Sequence, residues 1–572
     1  MLPAVLLPLK RLAELFLVLL ALVLPFEAPL MHVGPLQLTT VELVLYATLG
    51  TWVLTLLDRR QGRTATPSDP LLLPAVLWIV VNCIAAALAP VDRIAAIKFA
   101  LRTTSGVLVF FAARDLARPP KVTQRVLFAL TAGALLSATT AAFDWLLSST
   151  RGAWQWFNAG TFESVGLTRA RGVFAYPTIG AMYWEAATPL IVVAPTLLLR
   201  SHRWRSAGVA MTAVAAVFLA IAIHASATRS ALVGALVACM FLFALGLRFE
   251  WMRWSTAAVI GVLLLSSALV VLAPNSHRGL RLLWWQDDQW LRADYSILSG
   301  PTHVSVGETF TTSVAVRNSG AVTWQHSGTA PVFLSYHWEP VGRSTATREN
   351  FEGLRTSLST DVAPGQTLTV LAIVRAPEIE GAYRLRWDLV SEHIAWFSEK
   401  GNTTADQNVE VERPEKDKDR PRPLSHPAVI FAPPPPSRGA LWRAAIALWR
   451  EHPAIGLGPD NFRRHYQRIL VPAPGGIPYT DTRIHANSLY FETLANLGLV
   501  GFVVLGWIAF ALARVILQRR TEGAFVPLAC GAACGAFFVH GALDYFFEFT
   551  PLLGVFWLLL GLTVLGDKSS AQ

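Results

Sequence analysis

A few short stretches of this 572-residue chain carry side chains able to do chemistry. Arg169 and Arg171 stand in RARGVFAYPTIG, ahead of a Gly-x-Phe-x-x-Pro run whose Pro177 suits the first turn of a helix. Arg229 stands in SATRSALVG, a very short turn between two apolar runs. Taken singly, each arginine reads as an interfacial anchor, because long basic side chains snorkel at helix ends. Taken together they outline an anion site. His485, in RIHANSLYFETLANLGLVG, falls at the mouth of an apolar run, where an imidazole can titrate and exchange protons with water. Glu185 lies inside the run that follows Pro177, and an acid within a membrane span is a functional candidate by default. Glu492 comes seven residues after His485 and so near the same helix face. Asp417 and Asp419 form an Asp-x-Asp, a spacing that can hold a metal, but Lys416 and Lys418 interleave them and the run reads as solvated. No metal site is expected.

The elements that must position these residues are set by composition. The chain is 53% hydrophobic and only 15% charged, against roughly 25% charged in soluble domains, so lipid is its main solvent. Apolar runs near 12–29, 37–57, 71–89, 96–113, 125–147, 177–199, 207–224, 230–247, 255–273, 489–512, 523–543 and 551–566 are long enough to span a bilayer. Net charge is +10, but the basic residues gather in short loops such as Arg59, Arg60, Arg63 and Arg200, Arg203, Arg205. That is a positive-inside pattern, not a nucleic-acid surface. It predicts an all-α polytopic protein of about 12 spans with both termini cytoplasmic. The first run is expected to be an anchor and not a cleaved signal peptide. Cys83, Cys239, Cys530 and Cys534 all lie in apolar runs and read as small hydrophobes.

Two non-cytoplasmic stretches stand out, 148–176 and 274–488, and the arginines and His485 lie in or beside them. Residues 300–412 alternate at period 2, as in Leu368, Val370, Val374 and in Tyr383, Leu385, Trp387, Leu389. Turn signals such as Pro364-Gly365 separate the runs, so an antiparallel β-sandwich inserted in the membrane protein is expected over 295–412. The Pro-rich and charged segment 413–437 reads as a linker. Residues 1–280 and 438–572 then make up the membrane domain.

The ordered set of motifs resembles the O-antigen ligase and polymerase superfamily of membrane glycosyltransferases. The matching features are Arg169 to Pro177, the Thr-Arg-Ser-Ala turn at Arg229, HPAIGLGPDNF, the His-x-Asn-Ser motif at His485 with Asn487, and DYFFEFTPLLGVFW with Asp544. The insert resembles a four-tryptophan immunoglobulin-like module, with Trp324, Trp338, Trp387 and Trp396 as its tryptophans. Those rings either fill a core or stack on sugars.

What the resemblance implies is a GT-C-like enzyme of a bacterial inner membrane. It moves a glycan from undecaprenyl diphosphate to a hydroxyl of a glycan, lipid or protein acceptor on the periplasmic side. The β-domain lies on that same side. Arg229 and Arg169, ahead of Arg171, bind the diphosphate, and His485 is the general base of an inverting transfer without metal or cofactor. Asp544 orients the imidazole or holds the acceptor, and Glu492, Asn487 and Glu185 are supporting residues. Ligase is preferred to repeat-unit polymerase or protein O-oligosaccharyltransferase. A transporter or receptor with an exported binding domain is the alternative of a different class.

Overall fold

The structure, a computed structural model, describes residues 3–33, 36–58, 69–146, 162–164, 167–198, 205–247, 249–273, 282, 290–327, 331–341, 353–392, 395–398, 401–413, 436–470, 481–522 and 524–565. The first half holds α1 (Pro3–Val23), β1 (Pro29–Val33), β2 (Leu36–Thr39), α2 (Thr40–Asp58), α3 (Leu72–Ala87), α4 (Arg93–Leu116) and α5 (Pro120–Leu146). The hairpin strands β3 (Phe162–Ser164) and β4 (Leu167–Arg169) lead to α6 (Pro177–Leu198), α7 (Arg205–Ser226), α8 (Arg229–Leu245) and α9 (Glu250–Leu272). After a β-rich segment come α10 (Arg438–Glu451), α11 (Phe462–Ile469), α12 (Leu489–Glu522), α13 (Phe525–His540) and α14 (Thr550–Thr563).

Each of the twelve apolar runs overlaps a helix. Among the described residues, α2, α4, α5, α7, α9 and α12 are long and apolar enough to cross a membrane, and α3, α8, α13 and α14 are shorter apolar helices. The first helix lies earlier than the 12–29 run and stops at Val23, because Pro25 lacks the N–H a further turn needs. Local chemistry sets other starts. Thr39 and Glu42 bond each other's backbone amides at 3.2 and 3.1 Å, a capping box that opens α2. Asp92 accepts from Ala95 N at 3.0 Å and caps α4.

The bundle is built around α14, every residue of which is buried. It packs on α4 and α13, and small residues allow the approach: a Cβ at Gly561 would lie 2.8 Å from Phe110 O. The outer helix α9 instead exposes Leu265, Leu269 and Leu272. Such faces suit lipid and not water.

Between α9 and α10, two sheets share one core. β5 (Ala293–Ser299), β7 (Thr309–Asn318) and β10 (Thr367–Arg375) form an antiparallel sheet in the order β10-β7-β5. The other sheet runs β6 (His303–Ser305), β13 (Ala405–Glu412), β11 (Gly381–Ser391), β8 (Val332–Pro340), β9 (Thr356–Ser357), with β12 (Ala395–Trp396) paired to β11. Alternation along β11 turns Tyr383, Leu385, Trp387 and Leu389 inward, as the period-2 pattern requires. Trp324, Trp338, Trp387 and Trp396 are all buried. Trp396 meets the tilted His337 ring at 4.3 Å and the Arg355 guanidinium at 4.6 Å. None of the four offers a free face on which a sugar could stack. The 413–437 linker, with Asp417 and Asp419, lies almost wholly outside the described residues.

Candidate functional site

His485 sits in the loop that leads into α12, and the first turns of that helix hold it. Its Nδ1 lies 2.9 Å from Glu492 Oε1, so that nitrogen carries the proton and donates it. Glu492 Oε2 accepts from Ala486 N at 2.6 Å, and Asn496 Nδ2 donates to Oε1 at 2.9 Å. One fully buried carboxylate thus fixes ring and loop together. The chain reverses at Asn487, whose φ of 48° is one that asparagine tolerates better than most residues.

The HPAIGLGPDNF segment wraps this helix start. Leu457 N and Gly458 N donate to Ala495 O and Asn496 O, while Leu499 N and Val500 N donate to Pro453 O and Ala454 O. The exchange interrupts α12 at Gly498, where φ is 63° and a Cβ would lie 2.4 Å from Ala454 C. Phe462 N donates to Asn496 Oδ1 at 2.8 Å, so α11 is anchored to the same residue that holds Glu492. Trp442 of α10 stacks on Phe491 at 5.1 Å.

The other edge of the imidazole meets the loop between α13 and α14. Glu548 Oε2 is 2.8 Å from Nε2, and the Tyr545 ring lies against the imidazole at 4.9 Å. Arg463 approaches Glu548 at 3.8 Å and grips Asp460 with two bonds of 2.6 Å. Burial opposes charge on His485, but the Glu492 and Glu548 carboxylates outweigh it and push its pKa up to about 10. Burial acts to raise Glu548, yet His485 and Arg463 hold it below the usual carboxylate range. At neutral pH the group is an imidazolium between two carboxylates.

Arg169, at the end of β4, reaches across to the turn between α7 and α8. Its Nε donates to Ser226 O at 2.8 Å and its terminal nitrogen to Thr228 Oγ1 at 3.1 Å, while Ala170 N donates to Ala225 O. Ala227 takes a φ of 50° there, and Arg229 follows as the first residue of α8. Arg171 does something else: it donates to Ala175 O in its own loop and faces Asp144, whose carboxylate accepts from Gly172 N at 3.1 Å. Arg169 and Arg229 therefore share a turn, and Arg171 braces the approach to it.

Asp544 joins that turn to the histidine loop. Its Oδ2 lies 3.4 Å from Ser230 Oγ, its Oδ1 is 3.6 Å from Arg438, and its backbone carbonyl accepts from Leu489 N at 3.1 Å. The imidazole it touches is not that of His485 but that of His540, 3.1 Å away. His540 in turn meets Glu185 at 2.5 Å, and Glu185 fits only because Gly234 faces it, where a Cβ would lie 2.2 Å from Oε1. The intramembrane acid thus belongs to a Glu185–His540–Asp544 row, buried at Glu185 and His540 and half-buried at Asp544. Orientation of His485 falls to Glu492.

Sequence reasoning passed over His540 and Glu548. The first has a signal, since His540 and Asp544 are four apart in one polar break of an apolar run. Glu548 shows none, because only the folded loop carries it to His485. Among the described residues no three His, Cys, Asp or Glu side chains are grouped to hold a metal ion.

Residues 435–506 match the model of the O-antigen ligase family. The match takes in α10, α11, His485, Glu492 and Asn496, the segment that forms one wall of the site. Over this segment the chain is similar to the O-antigen ligase family, which supports a membrane glycosyltransferase at family level. No curated protein matches the chain. Among solved structures, the chain is similar to an alkylpurine DNA glycosylase from Pseudomonas fluorescens bound to DNA with an abasic-site analogue. That likeness has 9% identity, 61% coverage of this chain, 100% of the other and a TM-score of 0.15, too low to carry an argument.

Proposed function

We propose that this chain is an O-antigen ligase-like glycosyltransferase that moves a glycan from undecaprenyl diphosphate to an acceptor hydroxyl at the periplasmic face of the bacterial inner membrane. In this reading the helices cross the membrane twelve times with both termini in the cytoplasm. Residues 295–412 are an inserted four-tryptophan immunoglobulin-like sandwich on the periplasmic side, and 413–437 is its linker. The observation that carries the reading is the meeting, through Asp544 and Leu489, of an arginine-bearing turn with a loop that holds a buried histidine.

The chemistry follows from those groups. Cleavage at the anomeric carbon releases a diphosphate whose growing charge needs fixed cations in a partly dry site. Arg229 begins α8 on a turn that the Arg169 fork clamps, and guanidinium groups bind phosphate oxygens in pairs without losing their charge. With Nδ1 committed to Glu492, Nε2 is the nitrogen of His485 that would take the acceptor proton once it has given up its own. Attack opposite the leaving diphosphate inverts the sugar. Arg169, Arg229, Asp544 and His485 gather on adjoining turns and loops, which favours an enzyme over a transporter.

The test is transfer from a polyprenyl-diphosphate-linked glycan by purified protein. His485→Ala should lower transfer by about 10²–10⁴-fold while the protein still inserts and folds. Wild-type activity should survive EDTA, since the arginines carry the neutralisation. Substantial transfer by the alanine variant removes the general-base assignment.

A further inference from the structure

The two carboxylates on His485 are not equivalent. Glu492 meets Nδ1 in a hydrogen bond and holds Ala486 N with its second oxygen, so it cannot leave without undoing the loop. Glu548 comes from the loop between α13 and α14. Its Oε2 lies 2.8 Å from Nε2 but off the ring's N–H axis, so Nε2 has no partner in hydrogen-bond geometry among the described residues. Its side chain is 24% exposed where that of Glu492 is 0% exposed. Its second oxygen has a 3.8 Å contact with Arg463, a guanidinium already committed to Asp460. Glu548 is held by charge at a half-exposed position; Glu492 is built in.

A ring with protons on both nitrogens can accept no third. For His485 to act as a base, Nε2 must lose its proton and an acceptor hydroxyl must come within about 2.6–3.2 Å of it. The Glu548 carboxylate, 2.8 Å from Nε2, already stands within that distance and blocks the approach.

We propose that Glu548 occupies, in the unliganded protein, the position of the acceptor hydroxyl on His485, and that acceptor binding turns the ring into a base by displacing this carboxylate. The proposal rests on the glycosyl-transfer reading above. Its proton balance closes. Glu548 leaves with the Nε2 proton as a neutral acid and gives it up to water at its exposed side. Nε2 then takes the acceptor hydroxyl proton as the new C1–O bond forms. The bond from C1 to the diphosphate oxygen breaks, and its electron pair leaves with the polyprenyl diphosphate. On product release Glu548 returns to the imidazolium. Glu548 is thus a positioning residue that acts through His485, and it keeps the base switched off until an acceptor is present. The groups that face the ring are Glu492 from α12, Asp460 from the wrapped segment, and Tyr545 and Glu548 from the α13–α14 loop, while Arg463 of α11 faces Asp460 and the two glutamates. The charge of Arg102 of α4 also acts on Glu548.

The experiment compares full-length wild type with Glu548→Gln and Glu548→Asp. The first readout is the pH dependence of His485 modification by diethyl pyrocarbonate, followed by peptide mass spectrometry and independent of turnover. The midpoint should fall by about one pH unit or more in E548Q and stay near wild type in E548D, which keeps the charge. The second readout is glycan transfer to a soluble oligosaccharide. In wild type the acidic limb of kcat/KM, which reports free enzyme, should lie above that of kcat, which reports the complex. In E548Q the two limbs should coincide. An unchanged modification midpoint in E548Q overturns the proposal, and so does a wild type whose two limbs already coincide. If His485→Ala keeps transfer while the E548Q midpoint still falls, the glycosyl-transfer reading has failed and the pairing of Glu548 with His485 stands apart from it.

Discussion

At the scale of the residue, the site is defined by which carboxylate each histidine meets. His485 and His540 both lie between two acids, but His540 has a buried and a half-buried partner in Glu185 and Asp544, while His485 has a buried partner locked into its loop and a half-buried one. A buried ring whose pKa rises to about 10 also ties stability to pH. The unfolded value is about 6.5, so the stabilisation is fully present below that pH and is lost as pH rises through 10. Limited proteolysis between pH 7 and 10.5 should therefore show the 453–500 segment becoming more susceptible at the alkaline end. His485→Gln, which cannot ionise, should flatten that dependence.

At the scale of the element, backbone exchange does as much as side chains. The 453–458 segment and the break in α12 hold each other through four backbone hydrogen bonds, two from each side. Gly456 and Gly498 allow this because each has positive φ and lies where a Cβ would strike backbone at 2.4 Å. Gly498→Ala should therefore separate the segment from the helix and release Asn496 from Glu492. The expected result is loss of transfer of tenfold or more, with a bundle that still purifies, read by activity beside a melting curve. The motifs GLG and NLGL were visible in the sequence, but not that they close on each other. Helix positions were legible because twelve apolar runs leave few choices. The strands were legible because alternation at Tyr383, Leu385, Trp387 and Leu389 allows one inward face. Pairings such as Glu548 on His485 or Arg169 on Ser226 were not, since they join residues 57 or more apart and depend on how helices pack.

At the scale of the whole molecule, the β-rich segment keeps its own core. Its buried residues, from Trp290 to Val411, form a cluster separate from those of the bundle. Residues 290–413 expressed alone should therefore unfold cooperatively by tryptophan fluorescence. Trp387→Ala, at a fully buried ring, should cost about 3–5 kcal/mol in that transition. The bundle has the opposite organisation, because α14 is buried on every side and Glu548 stands two residues before it. That helix leaves the ribosome after α4 and α13, on which it packs, so these helices should meet their central partner late. His485 receives its second carboxylate in the same late event. Translation order thus withholds a complete site until the bundle is whole, and ribosome-stalled chains ending before residue 548 should sit in the membrane without transferase activity.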